Sequence, residues 1–155
     1  MNARDLQAAV AEDLTALLAH DHFKTPDGEK AAPKAYPQQL PKRDSNDDED
    51  PFPYVIVRID SGGIDSQTDP HKVALLLLIG IFDDDKSNQG HNSVLEIIER
   101  IQRHYEETPL LANQFKFIDP FHWALQDEES WPYFFGACNL SFELPPPRVK
   151  WSELT

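Results

Sequence analysis

The sequence predicts an α+β fold: a mostly antiparallel sheet with two helices packed on one face. Three observations carry this reading. Apolar residues recur at spacings of three and four in two stretches, one near the start and one after residue 90. Three longer runs, at 51–63, 71–83 and 134–144, read as strands bounded by Gly, Pro and Asp. Helices and strands do not alternate regularly, which argues against a parallel doubly wound sheet.

The first helix rests on Leu6, Val10, Leu14, Leu17 and Leu18, which stripe one face, with alanines between them. Its polar face is acidic, so the stripe is read as core-facing rather than membrane-binding. From about Lys24 to Asp50 the pattern stops. Prolines at 26, 33, 37 and 41 break any helix, and an acidic run follows. This segment reads as a long mobile loop or arm of one domain spanning residues 1–155. Its acids Asp44, Asp47, Asp48, Glu49 and Asp50 are candidates for docking a partner.

In "PFPYVIVRIDSGG" Val55, Val57 and Ile59 point one way, and Tyr54, Ile56 and Arg58 the other, with a glycine turn ending the strand. "HKVALLLLIGIFD" is apolar on both faces, as in a central strand covered on both sides. The next helix, "NSVLEIIERIQRHYEE", presents Val94, Ile97, Ile98, Ile101 and Tyr105 to the core. Asn92 or Ser93 is its expected cap, with Glu96 placed for a capping box, and Thr108-Pro109 its expected stop. "QFKFID" and "FHWALQ" read as short strands split by Pro120. In the last strand Phe134, Gly136, Cys138, Leu140, Phe142 and Leu144 share a face, and Pro145 to Pro147 end it.

The chain has 155 residues, 14 Lys and Arg against 27 Asp and Glu, and a formal net charge of -13. Such a balance excludes gripping nucleic acid by its phosphates. Cys138 is the only cysteine, so no internal disulfide forms, which suits a reducing compartment. The N-terminal stretch lacks the uninterrupted apolar core of a signal peptide, and the longest apolar run, Val73 to Ile79, is too short to span a bilayer. A soluble cytoplasmic protein without a membrane partner is the expectation.

Candidate chemistry centres on "IFDDDKSNQGHNSV", where Asp83, Asp84 and Asp85 lie close to His91. Carboxylates and imidazole suit hard and borderline metals, so a small metal-dependent enzyme or binding domain is one reading. The spacing opposes it. Calcium loops alternate their ligands around a central glycine, whereas these aspartates are contiguous and Gly90 comes late. A strand end and turn, with Gly90 supplying freedom, is the reading preferred here. His20 and His22 sit where a helix end favours histidine. Cys138 lies mid-strand on an apolar face, where a thiol is inert. "SGG" at Ser61 to Gly63 is no phosphate loop, since no helix follows it. Trp131, Tyr133, Phe134 and Phe135 are expected to be mostly core, with some at a subunit interface. Neither a catalytic constellation nor a cofactor is expected.

The pattern "PFPYVIVRIDSGGID", "IGIFDDD", "GHNSVLEIIERI" and "DEESWPYFFGACNLSFELP" resembles the tail terminator (tail completion) proteins of long-tailed bacteriophages, broadly the lambda-type minor tail protein U family. The resemblance covers roughly Pro51 to Pro147 and the leading helix, in fold positions rather than in a catalytic signature. The acidic arm before Pro51 departs from the compact members, which leaves contractile and non-contractile tails both open. A tail-derived bacterial injection-system component has nearly the same mechanics.

The resemblance implies a structural protein of the virion neck. It implies a homohexameric ring on the last ring of the tail tube protein, from a subunit that can stay monomeric before assembly. The ring stops polymerisation and meets the head-completion or connector protein, while DNA only passes through its lumen. An acidic lumen would let DNA slide. Asp83, Asp84, Asp85, His91, Trp131, Tyr133 and Phe135 are then candidate interface residues.

Overall fold

The computed structural model describes residues 2–42 and 50–146. The elements in chain order are α1 (Ala3–Leu17), β1 (Phe23–Lys24), β2 (Lys30–Ala31), β3 (Lys34–Pro37), β4 (Tyr54–Gly63) and β5 (His71–Phe82). After them come α2 (His91–Glu107), β6 (Leu110–Leu111), β7 (Phe115–Ile118), β8 (Trp123–Leu125) and β9 (Tyr133–Leu144). The expected α+β class is what the chain adopts. The sheet runs β3-β4-β5-β9-β7-β6, with β8 beside β7 on the same edge of β9. All its pairings are antiparallel except β3 with β4.

The spine of the sheet is β5 against β9, paired without a break from His71↔Leu144 to Phe82↔Tyr133. Because side chains alternate across a strand, each row has one fate. Val73, Leu75, Leu77, Ile79 and Ile81 of β5 are buried, as are Cys138, Leu140, Phe142 and Leu144 of β9. Val55 and Val57 of β4 join them.

Both helices lie on this face. α1 contributes Leu6, Val10, Leu14 and Leu18, and α2 contributes Val94, Ile97, Ile98, Ile101 and Tyr105, all in one core. The helices are also tied to each other. Asp13 Oδ2 accepts from the Tyr105 hydroxyl at 2.9 Å and lies 2.8 Å from His104 Nε2. Arg100 donates to Leu17 O at 3.1 Å and pairs with Asp21 at 3.4 Å. Burial, with Asp13 alongside, raises the Tyr105 phenol above its ordinary range. α1 is fixed to β4 by the buried Gln7, which donates to Val57 O at 2.7 Å and to Gln38 Oε1 at 2.9 Å. A buried amide needs such partners.

Several expectations need correction. α2 begins one residue early, at His91, with Gly90 as its cap and no side-chain cap bond from Asn92 or Ser93. Gly90 has an ordinary helical φ of -64°, so it supplies no special freedom. Its glycine is required because the Phe134 ring lies 2.3 Å from where a Cβ would stand. The left-handed residue of this turn is Asn88, at φ 59°. Ser61 to Gly63 do not form a turn but are the last paired residues of β4. A bulge between Ile59 and Ser61 lets the strand run on to Gly63↔Lys72. The segment from Lys24 is not one long loop, because β1 and β2 form a small hairpin and β3 adds a parallel edge strand. β3 was hidden because its apolar content is one alanine and one tyrosine. α1 is also closed by a reciprocal capping box, Asn2 with Asp5, that the apolar stripe does not reveal.

The expected stop of α2 holds, with Thr108 as its C-cap. No helix among the described residues is long and apolar enough to cross a membrane.

The two faces of β5 give a direct test. Leu77→Ala removes a fully buried side chain and should cost about 2–5 kcal/mol. Leu76→Ser, one residue away on the other face, should cost well under half as much in the isolated chain. Chemical denaturation of both variants measures this. Equal losses would contradict the one-sided core.

Candidate functional site

The face of the sheet away from the helices is a chemically distinctive surface. It is organised in registered rows. Tyr36, Ile56, Leu78, Ala137 and Ala124 align across β3, β4, β5, β9 and β8. The next row holds Arg58, Leu76 and Asn139. Ile56 is buried, but Leu76, Leu78 and Ala137 stay partly exposed, and both helices pack on the other face. The expectation that β5 is covered on both faces is therefore met on the helical side alone.

One end of this face is closed by aromatic rings. Phe52 stands 5.0 Å from Tyr54, 4.9 Å from Tyr133 and 6.0 Å from Phe135, and Phe82 is 5.8 Å from Tyr133. The Tyr54 ring lies directly over Gly80, where a Cβ would meet it at 2.3 Å. Burial raises the Tyr54 phenol. The rings of 131–135 are thus not mostly core. Trp131 is exposed, and Tyr133, Phe134 and Phe135 are partly buried. The fully buried rings are Tyr105, Phe115 and Phe142, which sequence spacing placed on α2, β7 and β9.

The three aspartates lie at the same end of the sheet, past Phe82, and they are occupied within the chain. Lys24 Nζ reaches Asp83 at 3.2 Å and Asp84 at 3.5 Å. Asp83 Oδ1 also accepts from the Asp85 amide at 3.0 Å, and Asp85 Oδ1 accepts from the Ser87 amide at 2.8 Å. These are Asx turns, the ordinary use of aspartate at a strand end. The Lys24 ammonium is held above its usual value, chiefly by its hydrogen bond to Asp83. The Asp85 carboxyl is held below its usual value, chiefly by the Ser87 amide.

The 127–132 loop closes against this turn. Trp131 Nε1 donates to Asp85 O at 3.0 Å, the Asp83 amide to Pro132 O at 2.9 Å, and Asn88 Nδ2 to Glu129 at 2.8 Å. Of the residues singled out in the sequence, Asp83, Asp84, Asp85 and Trp131 meet here. Tyr133 and Phe135 belong to the ring cluster. His91 lines a separate hollow of about 420 Å³ with Asn88, Gln126, Glu129 and Phe134, and Asp83 does not line it. No group of three or more His, Cys, Asp or Glu among the described residues is arranged to hold a metal ion.

Sequence spacing gives no sign of the ion pair between Lys24 of β1 and Asp83, because Lys24 lies 59 residues before its partner. His20 and His22 lie exposed just after α1, with His22 Nδ1 3.2 Å from His20 O. Cys138 is buried, and burial pushes its thiol up to about 12, which leaves it protonated and inert. Asp44, Asp47, Asp48 and Glu49 lie outside the described residues. Asp50 lines an open groove of about 670 Å³ with Pro51, Phe52, Tyr36 and Lys42.

Comparison of the chain with protein-family models and with curated proteins finds no match.

The Asp85 carboxyl should titrate below its unperturbed 3.8. A depressed folded value means the Asx turn contributes above the unfolded pKa and is lost as pH falls through the folded one. Ser87→Pro removes the donating amide, so the carbon-detected midpoint of Asp85 should rise toward 3.8. An unchanged midpoint would show that the Ser87 amide is not the cause.

Proposed function

We propose that the chain is a structural tail terminator of a long-tailed bacteriophage. In this reading it caps the tail tube as a homohexameric ring, stops tube polymerisation and offers the surface on which the head-completion protein joins. It works in the virion neck and assembles in the host cytoplasm.

The observation that carries the reading is the open sheet face. Leu76, Leu78 and Ala137 form an apolar strip that the chain's own elements leave partly exposed. An apolar strip of this kind is ordinary in a subunit that finishes burying its surface only on assembly. The α+β architecture, with two helices on one face, is the one the family resemblance calls for. The aspartate run, which would have to serve any metal-dependent alternative, has Lys24 on two of its carboxylates. The net charge of -13 supports a role in which DNA passes without sticking.

Electron microscopy tests this reading. The protein added to tail tubes should give six-fold rings on one end of each tube, and removal of its gene should give overlong tubes or headless tails. Tubes of normal length joined to heads in its absence would overturn the proposal.

A further inference from the structure

We infer that the open sheet face of one copy docks on the helical layer of a second copy, head to tail. The inference rests on the reading of the chain as an assembly subunit and adds which two surfaces meet.

The argument is one of charge. Although the chain is strongly acidic overall, the open face is not. It carries Lys34, Arg58, Lys72 and Lys116 around the apolar strip, against Glu143, Asp60 at the bulge and, in the groove that Lys34 and Tyr36 line, Asp27 and Asp50 beside Lys42. None of these four cations makes an ion pair among the described residues; Lys34 lies over the Tyr36 ring, and Arg58 donates to a backbone oxygen.

The opposite side of the molecule has the reverse sign. α2 exposes Glu96, Glu99, Glu106 and Glu107, and α1 exposes Asp5 and Glu12. The cations exposed there are Arg4 and Arg103, since Arg100 is committed to Asp21 and Leu17 O.

Two open faces stacked on each other would set cations against cations. An open face set on a helical layer brings opposite potentials together around a desolvated apolar strip, the arrangement that steers and orients association. Because the two surfaces differ, the contact is heterologous, and it repeats until a ring closes. The same logic explains why the apolar strip is bordered by lysines, which keep single copies from pairing strip to strip.

A charge swap tests this on the full chain by sedimentation at rising concentration and low salt. The wild type should self-associate, and added salt should weaken it. Lys34→Glu with Lys116→Glu should weaken association about tenfold or more, and so should Glu96→Lys with Glu99→Lys. Mixing the two variants should restore it, because each then offers the other a complementary surface. Circular dichroism checks that both variants fold.

Retained association of the helix variant would point to sheet-on-sheet pairing and overturn the inference. So would a mixture that stays dissociated, or a wild type that is monomeric at every concentration. None of these outcomes touches the tube-capping assay, which judges the functional proposal separately.

Discussion

The pairing of β5 with β9 is the constraint on which the rest of the molecule depends. It runs unbroken over both strands and fixes the direction of every side chain along them. A slip of β5 by one residue against β9 would turn Leu75 and Leu77 out of the core and put Leu76 and Leu78 in. The helices then have a single apolar face to cover. α1 takes the β3–β4 side and α2 the β9 side, and Asp13 joins them through Tyr105 and His104. The open face follows from the same register, since whatever the helices cover on one side leaves Leu76, Leu78 and Ala137 on the other.

The ends of the spine are finished differently, and this separates two kinds of surface. At the Phe82–Tyr133 end the sheet is closed by stacked rings and by the aspartate turn, held by Lys24 and Trp131. At the other end, the last residues of β4 and the loop that follows are exposed, Ile64 among them, while Val73 opposite Gly62 stays in the core. Asn139 braces the edge by bonding His122 and Pro120, where the chain turns from β7 to β8. The aspartates therefore belong to the architecture of one end of the sheet.

Much of the fold was legible because its main signals are local. The stripe of α1, the stripe of α2 and the alternation of β9 are local signals, and each has its predicted face buried apart from Leu17 and Phe134, which are partly buried. What was not legible depends on partners distant in sequence. β3 exists because β4 offers it an edge, and nothing in Lys34–Pro37 announces a strand. The reason for Gly90 is the Phe134 ring, and the reason for Gly80 is the Tyr54 ring. A glycine read from sequence suggests freedom, whereas here it marks close approach. The rings of 131–135 suit a core by composition, but Tyr133 and Phe135 fall on the face away from the helices and Trp131 lies in the loop before β9, while Phe134 packs against Gly90 at the start of α2. In the site, the aspartate turn was placed correctly between strand and helix, while its partner Lys24 was out of reach of any spacing argument.

An alternating strand makes two surfaces at once, and the central claim is that the second one is built to be buried by assembly. Hydroxyl-radical footprinting of Leu76 and Leu78 measures this directly, in the isolated chain and in the protein bound at the end of a tail tube. The account predicts that both leucines are oxidised in the isolated chain and protected in the bound one, while Leu77 stays protected throughout. Leucines 76 and 78 as reactive in the assembled state as in the free one would contradict it.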